Sequence, residues 1–137
     1  MDRKIKFRVW DKKNKKMISP DGREGFNFAI AINGETCSGY IDGDMVSHYD
    51  DNYVYQQFTG LKDKNGKDIY EGDLLNYQKS VYTILEVYWN VDAAKFNTKV
   101  HQQHNKMIYV VPSPMDKLNN YETIGNIFEN PKLLNAV

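Results

Sequence analysis

Apolar and polar residues alternate with a period of two along most of this chain, the spacing that puts side chains on opposite faces of a β-strand. Ile5, Phe7 and Val9 fall on one face of a first strand, and Lys4, Lys6 and Arg8 on the other. A turn is expected over residues 12–16. Phe26, Phe28, Ile30 and Ile32 then alternate with small or polar residues as far as Asn33-Gly34, a pair that accepts the positive φ angles of a tight hairpin. Residues 35–41 form the partner strand. A second hairpin signal, Asp42-Gly43, leads into residues 45–49, which makes residues 24–49 a three-stranded meander. Asp50-Asp51-Asn52 interrupts the alternation.

Beyond the interruption, residues 53–60 read as a strand closed by the polar loop 62–67, whose Asn65-Gly66 supplies another tight turn. Short strands follow at 68–70, 74–77, 81–89, 95–101 and 107–111, with a corner at Glu71-Gly72-Asp73. Ser113-Pro114-Met115-Asp116 has a capping hydroxyl, a proline at the first helical position and an acid in the first turn, so a short helical turn begins there. A last strand, 122–128, precedes Asn130-Pro131 and a terminal turn through Leu134. The predicted class is mainly β: antiparallel strands and hairpins, with a C-terminal SH3-like small barrel and one or two short helical turns. Residues 1–60 are expected to form the hairpin and meander region and residues 61–137 the SH3-like barrel region, with a single continuous domain as the alternative. Leu74, Ile84, Val87, Ile108, Val110, Ile124 and Ile127 are expected in the barrel core.

At 137 residues the chain has the size of one domain, and its ten Tyr, six Phe and two Trp suit a sheet better than a helical bundle. Cys37 is the only cysteine, which excludes an internal disulfide and multi-cysteine zinc patterns and fits a reducing compartment. The first ten residues lack the apolar core of a signal peptide, and no apolar run of roughly 18 residues occurs. A cytoplasmic protein without a membrane span is expected. Acidic and basic residues balance at 18 each, so no global field draws the molecule to nucleic acid. Locally the balance fails: the first sixteen residues hold eight Lys/Arg and two Asp, and residues 35–51 hold five carboxylates and no Lys or Arg.

That asymmetry defines the candidate chemistry. Arg3, Lys4, Lys6 and Arg8 lie along one exposed ribbon ending at Trp10, a charged track with an aromatic platform for stacking on a nucleic acid or a partner. The plainer reading is an edge strand whose lysines block edge-to-edge pairing. Asp42, Asp44, His48, Asp50 and Asp51 have the donor types of a divalent-metal site, yet Asp-Gly is a preferred turn and the rest is ordinary loop composition. The loop 63–68 carries its glycine at the wrong position for a calcium loop. His101 and His104, two potential ligands without a third, read as a polar hairpin tip. No glycine-rich phosphate loop occurs. Catalytic, metal and cofactor residues are therefore expected to be absent.

Three stretches carry a family resemblance: Ile5 to Asp11 (IKFRVWD), Phe58 to Asp73 (FTGLKDKNGKDIYEGD) and Ile124 to Leu134 (IGNIFENPKLL). In this order and spacing they resemble the YopX family of phage and prophage proteins. The resemblance implies a mainly β protein with an SH3-like C-terminal part, encoded in mobile bacterial genomes, and no activity that transfers to named residues. The expected role is a non-enzymatic interaction module that binds a host or phage protein, or itself as a homo-oligomer, since open strand edges and many Tyr residues leave area to cover. The alternative is a nucleic-acid-binding accessory protein using Arg3, Lys4, Lys6, Arg8 and Trp10.

Overall fold

Among the described residues the alternation folds largely as antiparallel β structure. The computed structural model of the chain describes residues 2–19, 26–40, 52–78, 80, 83–102, 107–111 and 115–135, and only the backbone of 26–27, 37–40, 107–111 and 115–116. Eleven strands are present among them: β1 (Phe7–Asp11), β2 (Lys16–Ile18), β3 (Phe26–Ile30), β4 (Thr36–Tyr40), β5 (Tyr53–Lys62), β6 (Asp68–Tyr70), β7 (Asp73–Asn76), β8 (Thr83–Asn90), β9 (Lys95–Gln102), β10 (Met107–Val111) and β11 (Glu122–Asn126). Among the described residues helix is confined to two 3-10 turns, Met115–Asn120 and Pro131–Leu134. Both stand where Ser113-Pro114 and Asn130-Pro131 announced a helical turn. The expected third strand of the meander, 45–49, lies outside the described residues.

Two compact units make up the chain: Arg8–Tyr55, and Gln56–Val137 together with Met1–Phe7. Residues 60 and 61 both belong to β5, and the two units meet along the chain between Tyr55 and Gln56. Hydrogen bonding gives a four-stranded order β2-β1-β5-β6, in which the chain changes unit within β1 and within β5.

In the Arg8–Tyr55 unit, β1 and β2 form a hairpin with Val9 opposite Ile18, both buried. Asp11, fully buried, shapes its turn by accepting from the Asn14 backbone N–H (3.1 Å), the Asn14 Nδ2 (2.7 Å) and the Asn52 Nδ2 (2.9 Å). Strands β3 and β4 pair around Asn33-Gly34, where Gly34 takes φ +89° and the Asn33 Oδ1 accepts the Glu35 N–H. Edge contacts from Phe28 to the rings of Tyr53 (5.1 Å) and Tyr55 (6.0 Å) pack this hairpin against the start of β5.

The larger unit is built on a curled five-stranded sheet, half a barrel, of order β10-β9-β8-β7-β11. One face carries Leu75, Leu85, Val87 and Val100, which with Ile69 and Leu118 form its core. Leu74, Ile84 and Val87 are buried as the alternation required. Ile124 and Ile127 are only half-buried, since β11 is the last strand of the sheet and has a neighbour on one side; the side chains of Ile108 and Val110 lie outside the described residues.

Turns fix this sheet through buried polar groups. Asp63, 5% exposed, accepts the N–H groups of Asn65 (2.8 Å) and Lys67 (3.0 Å) on one oxygen and that of Thr123 (3.0 Å) on the other. One carboxylate thereby ties the 62–67 loop to β11. Gly72, at φ +86°, donates to the Val87 carbonyl and accepts from the Ile127 N–H. At Gly125 a Cβ would stand 2.4 Å from Asn130 Oδ1 and 2.9 Å from Asn130 Cβ, while that Oδ1 accepts the Asn126 N–H at 3.2 Å. Because the Asn130 side chain cannot withdraw without losing this bond, Gly125→Ala is expected to destabilise the protein by about 1–3 kcal/mol, the usual penalty of overpacking. Equilibrium urea unfolding measures it, and an unchanged midpoint would show that Asn130 yields freely.

Candidate basic groove

The groove arises where β5 outlasts its neighbour. The Phe58 N–H donates to the Lys6 carbonyl at 2.9 Å. Residues 2–6 adopt no strand conformation, whereas β5 continues to Lys62. Between the diverging segments lies a half-open groove of about 680 Å³. Asp2, Arg3, Lys4 and Lys6 line it from the N-terminal segment, with Phe58, Gly60 and Lys62 from β5 and Asp68 at the start of β6.

Asp68 organises two of its cations. Its carboxylate bonds the Lys6 ammonium through Oδ2 and the Lys62 Nζ through Oδ1 at 2.7 Å. Partial burial opposes its ionisation, but the hydrogen bonds and charges of Lys6 and Lys62 outweigh that effect and hold its pKa below the ordinary carboxylate value. Lys6 also sits over the Phe58 ring, 4.4 Å from its centroid. Four cations face two carboxylates, Asp2 and Asp68, which leaves the groove with a net charge of +2 (4 − 2). Arg3 and Lys4 are exposed, and no ion pair among the described residues engages them. Such an arrangement suits the binding of an anion; a carboxylate held ionised between two lysines is a poor proton acceptor for general-base chemistry.

Of the residues expected along the basic ribbon, Arg3, Lys4 and Lys6 come together here, and Arg8 and Trp10 do not. Both are 8% exposed, and four consecutive residues of β1, Arg8 to Asp11, are buried. The half-buried, edge-strand reading fails because β1 is an inner strand of the order β2-β1-β5-β6, covered on both faces, so alternation no longer separates core from solvent. Trp10 is thus no stacking platform. Ile5, expected to be buried, is 67% exposed because it precedes the strand.

Asp42, Asp44, His48, Asp50 and Asp51 lie outside the described residues, as does His104. Among the described residues no cluster of three or more His, Cys, Asp or Glu side chains is placed to hold a metal ion. His101 is not at a hairpin tip. It is a buried residue of β9 whose Nε2 lies 2.7 Å from the Glu86 Oε2 across the sheet, with the Lys99 Nζ 3.9 Å from the other Glu86 oxygen. Gly60, Lys62 and Asp68 had read only as parts of a strand and a turn; the clue to them was a lysine and an aspartate bracketing the 62–68 hairpin, opposite charges on paired strands.

The model of the YopX family, described as YopX protein, matches residues 6–135. The chain belongs to the YopX family. A solved structure also resembles this YopX chain: the crystal structure of protein EF1440 from Enterococcus faecalis is 27% identical, with a TM-score of 0.59 over 97% of this chain and 99% of that one. No curated protein matches. Asp63, Gly72, Asp73, Gly125, Asn126 and Asn130, all in the stretches that resembled YopX proteins, are engaged in turns and close packing. Within the groove, Lys6, Lys62 and Asp68 fall inside the matched span, and Arg3 and Lys4 precede it. Among the described residues of this YopX chain, no helix is long and apolar enough to cross a membrane.

Proposed function

We propose that this YopX protein is a non-catalytic binding module, an accessory protein of a phage or prophage acting in the cytoplasm of its bacterial host, that grips an acidic segment of a partner protein in the basic groove. The observation that carries this reading is the excess of cations, with Arg3 and Lys4 left over after Asp68 has engaged Lys6 and Lys62. Charge complementarity of this kind steers encounter and selects partners more than it adds affinity, so a moderate, salt-sensitive interaction is expected.

Nucleic acid is the less favoured ligand. Single strands are held by bases stacked on exposed aromatic rings. In the groove the aromatic residue is Phe58, 5% exposed and lying beneath Lys6, and Trp10 is buried. Fluorescence anisotropy with a labelled glutamate-rich decapeptide, a lysine-rich decapeptide, and single-stranded and duplex oligonucleotides tests the proposal. The acidic peptide is expected to bind, more weakly as salt rises, and the lysine-rich peptide not at all. Tighter binding of either oligonucleotide than of the acidic peptide would overturn the reading.

A further inference from the structure

We infer that Asp68 is a built-in competitor for the ligand of the groove: its carboxylate holds Lys6 and Lys62 in the free protein, and an acidic segment binds by taking them over, an inference that rests on the proposed function of the groove. Asp68 opens β6 directly opposite Lys62 in the β5–β6 pairing, so the main chain keeps its carboxylate beside these lysines. One oxygen receives the Lys6 ammonium and the other the Lys62 Nζ at 2.7 Å. All three side chains line the groove and reach solvent, Lys6 being 30% exposed, Lys62 63% and Asp68 22%. Ion pairs exposed to this degree are weakly held, because water screens both partners. A carboxylate arriving from outside offers each ammonium the same chemistry and replaces Asp68.

Asp68 is not needed to place Lys6. The Lys6 carbonyl accepts the Phe58 N–H at 2.9 Å and its ammonium stands 4.4 Å from the Phe58 ring centroid, so both ends of the residue are anchored to β5. Losing the charge of Asp68 therefore removes a rival acceptor more than it disorders the donors. The arrangement selects for clustered charge. An isolated carboxylate at the two lysines merely exchanges with Asp68, whereas a run of acids also engages Arg3 and Lys4. Specificity then comes from a penalty that every ligand meets and only a multiply charged one overcomes.

The test measures binding of the glutamate-rich decapeptide, by fluorescence anisotropy, to the full chain and to two variants that each remove one negative charge from the groove lining, Asp68→Asn and Asp2→Asn. Asparagine keeps the shape of Asp68 and one oxygen acceptor. Asp68→Asn is expected to bind the peptide at least about fivefold more tightly than the parent, the scale of one partly exposed ion pair, and Asp2→Asn within about twofold of it. In the parent, carbon-labelled at aspartate for NMR, the Asp68 carboxyl resonance is expected to move on saturation with peptide as its ammonium partners leave. A still Asp68 resonance would overturn the inference from the parent alone, whatever the variants do. Equal gains in the two variants would show that only net charge matters and would also overturn it, as would unchanged or weaker binding by a folded Asp68→Asn; in each case the groove keeps its ligand. Failure of the parent and both variants to bind would overturn the charge-based reading of the groove and this inference with it.

Discussion

Asp63→Ala is expected to lower the stability of the protein by about 3–5 kcal/mol, because it leaves three backbone N–H groups near a buried position without their acceptor, and each such loss costs roughly 1–3 kcal/mol. The groups belong to Asn65, Lys67 and Thr123, so the loss loosens the 62–67 loop and its tie to β11 together. Asp63→Asn separates the two effects. One amide oxygen can still receive the Asn65 and Lys67 donors, and the Thr123 N–H then faces an amide NH2; about half the loss is expected. Burial opposes ionisation of Asp63, but the backbone donors of Thr123, Lys67 and Asn65 outweigh it and hold the carboxyl below its ordinary pKa. Its folded-state pKa is therefore depressed. Such a group contributes stability in full above its unfolded pKa, about 3.9, and the contribution disappears as the pH falls through the lower folded value. Urea unfolding of both variants and the parent at pH 7 and along a series below pH 4 measures the effects. The parent's advantage over Asp63→Asn should shrink toward acid, and an advantage constant with pH would contradict the charged role of Asp63.

The largest functional effect is expected from Arg3→Glu combined with Lys4→Glu. These changes turn the groove from +2 to −2 without touching Lys6, Lys62 or Asp68. Affinity for a glutamate-rich peptide should fall about thirtyfold or more at low salt, with a smaller difference at high salt, as expected when exposed charges drive the encounter. Both positions are exposed and precede β1, so the melting temperature should stay within about 2 °C of the parent. Anisotropy titrations at two ionic strengths and a thermal scan check both parts. Undiminished peptide affinity in a folded double variant would remove the groove from the account.

The fold was largely legible because most strands either have one polar face or end at a turn with its own chemistry. Asn33-Gly34, Asn65-Gly66 and Glu71-Gly72-Asp73 each mark an observed turn, and Pro114 and Pro131 each mark a 3-10 turn. What the pattern could not show was which strand becomes an inner one. In β1 the sequence still alternates, but neighbours on both sides and cover on both faces bury Arg8 and Trp10 with Val9. His101 misled for a related reason: a polar residue inside a strand can be buried when a cross-sheet carboxylate, here that of Glu86, receives it.

Half of the groove was legible and half was not. The basic character of Arg3, Lys4 and Lys6 is local in sequence and visible at once. The meeting of Lys6 with Asp68 spans 62 residues and depends on the register of residues 6 and 58 and on the β5–β6 hairpin. No short-range pattern encodes that pairing. Lys62 and Asp68 therefore read as loop charges until the strands are placed, and the buried Phe58 as one more core residue.

The central claim is that the binding surface is this groove, and the most direct test is an amide chemical-shift titration of the full chain with a glutamate-rich peptide. The rival surface within the same unit is the apolar tip of the β8–β9 hairpin, where Trp89 is 41% and Val91 80% exposed. Shifts concentrated at residues 2–6, 58–62 and 68, and lost in the Arg3→Glu, Lys4→Glu variant, are the expected result. Shifts centred on residues 89–96, or anywhere within Arg8–Tyr55, with residues 2–6 and 58–62 unmoved, would contradict it.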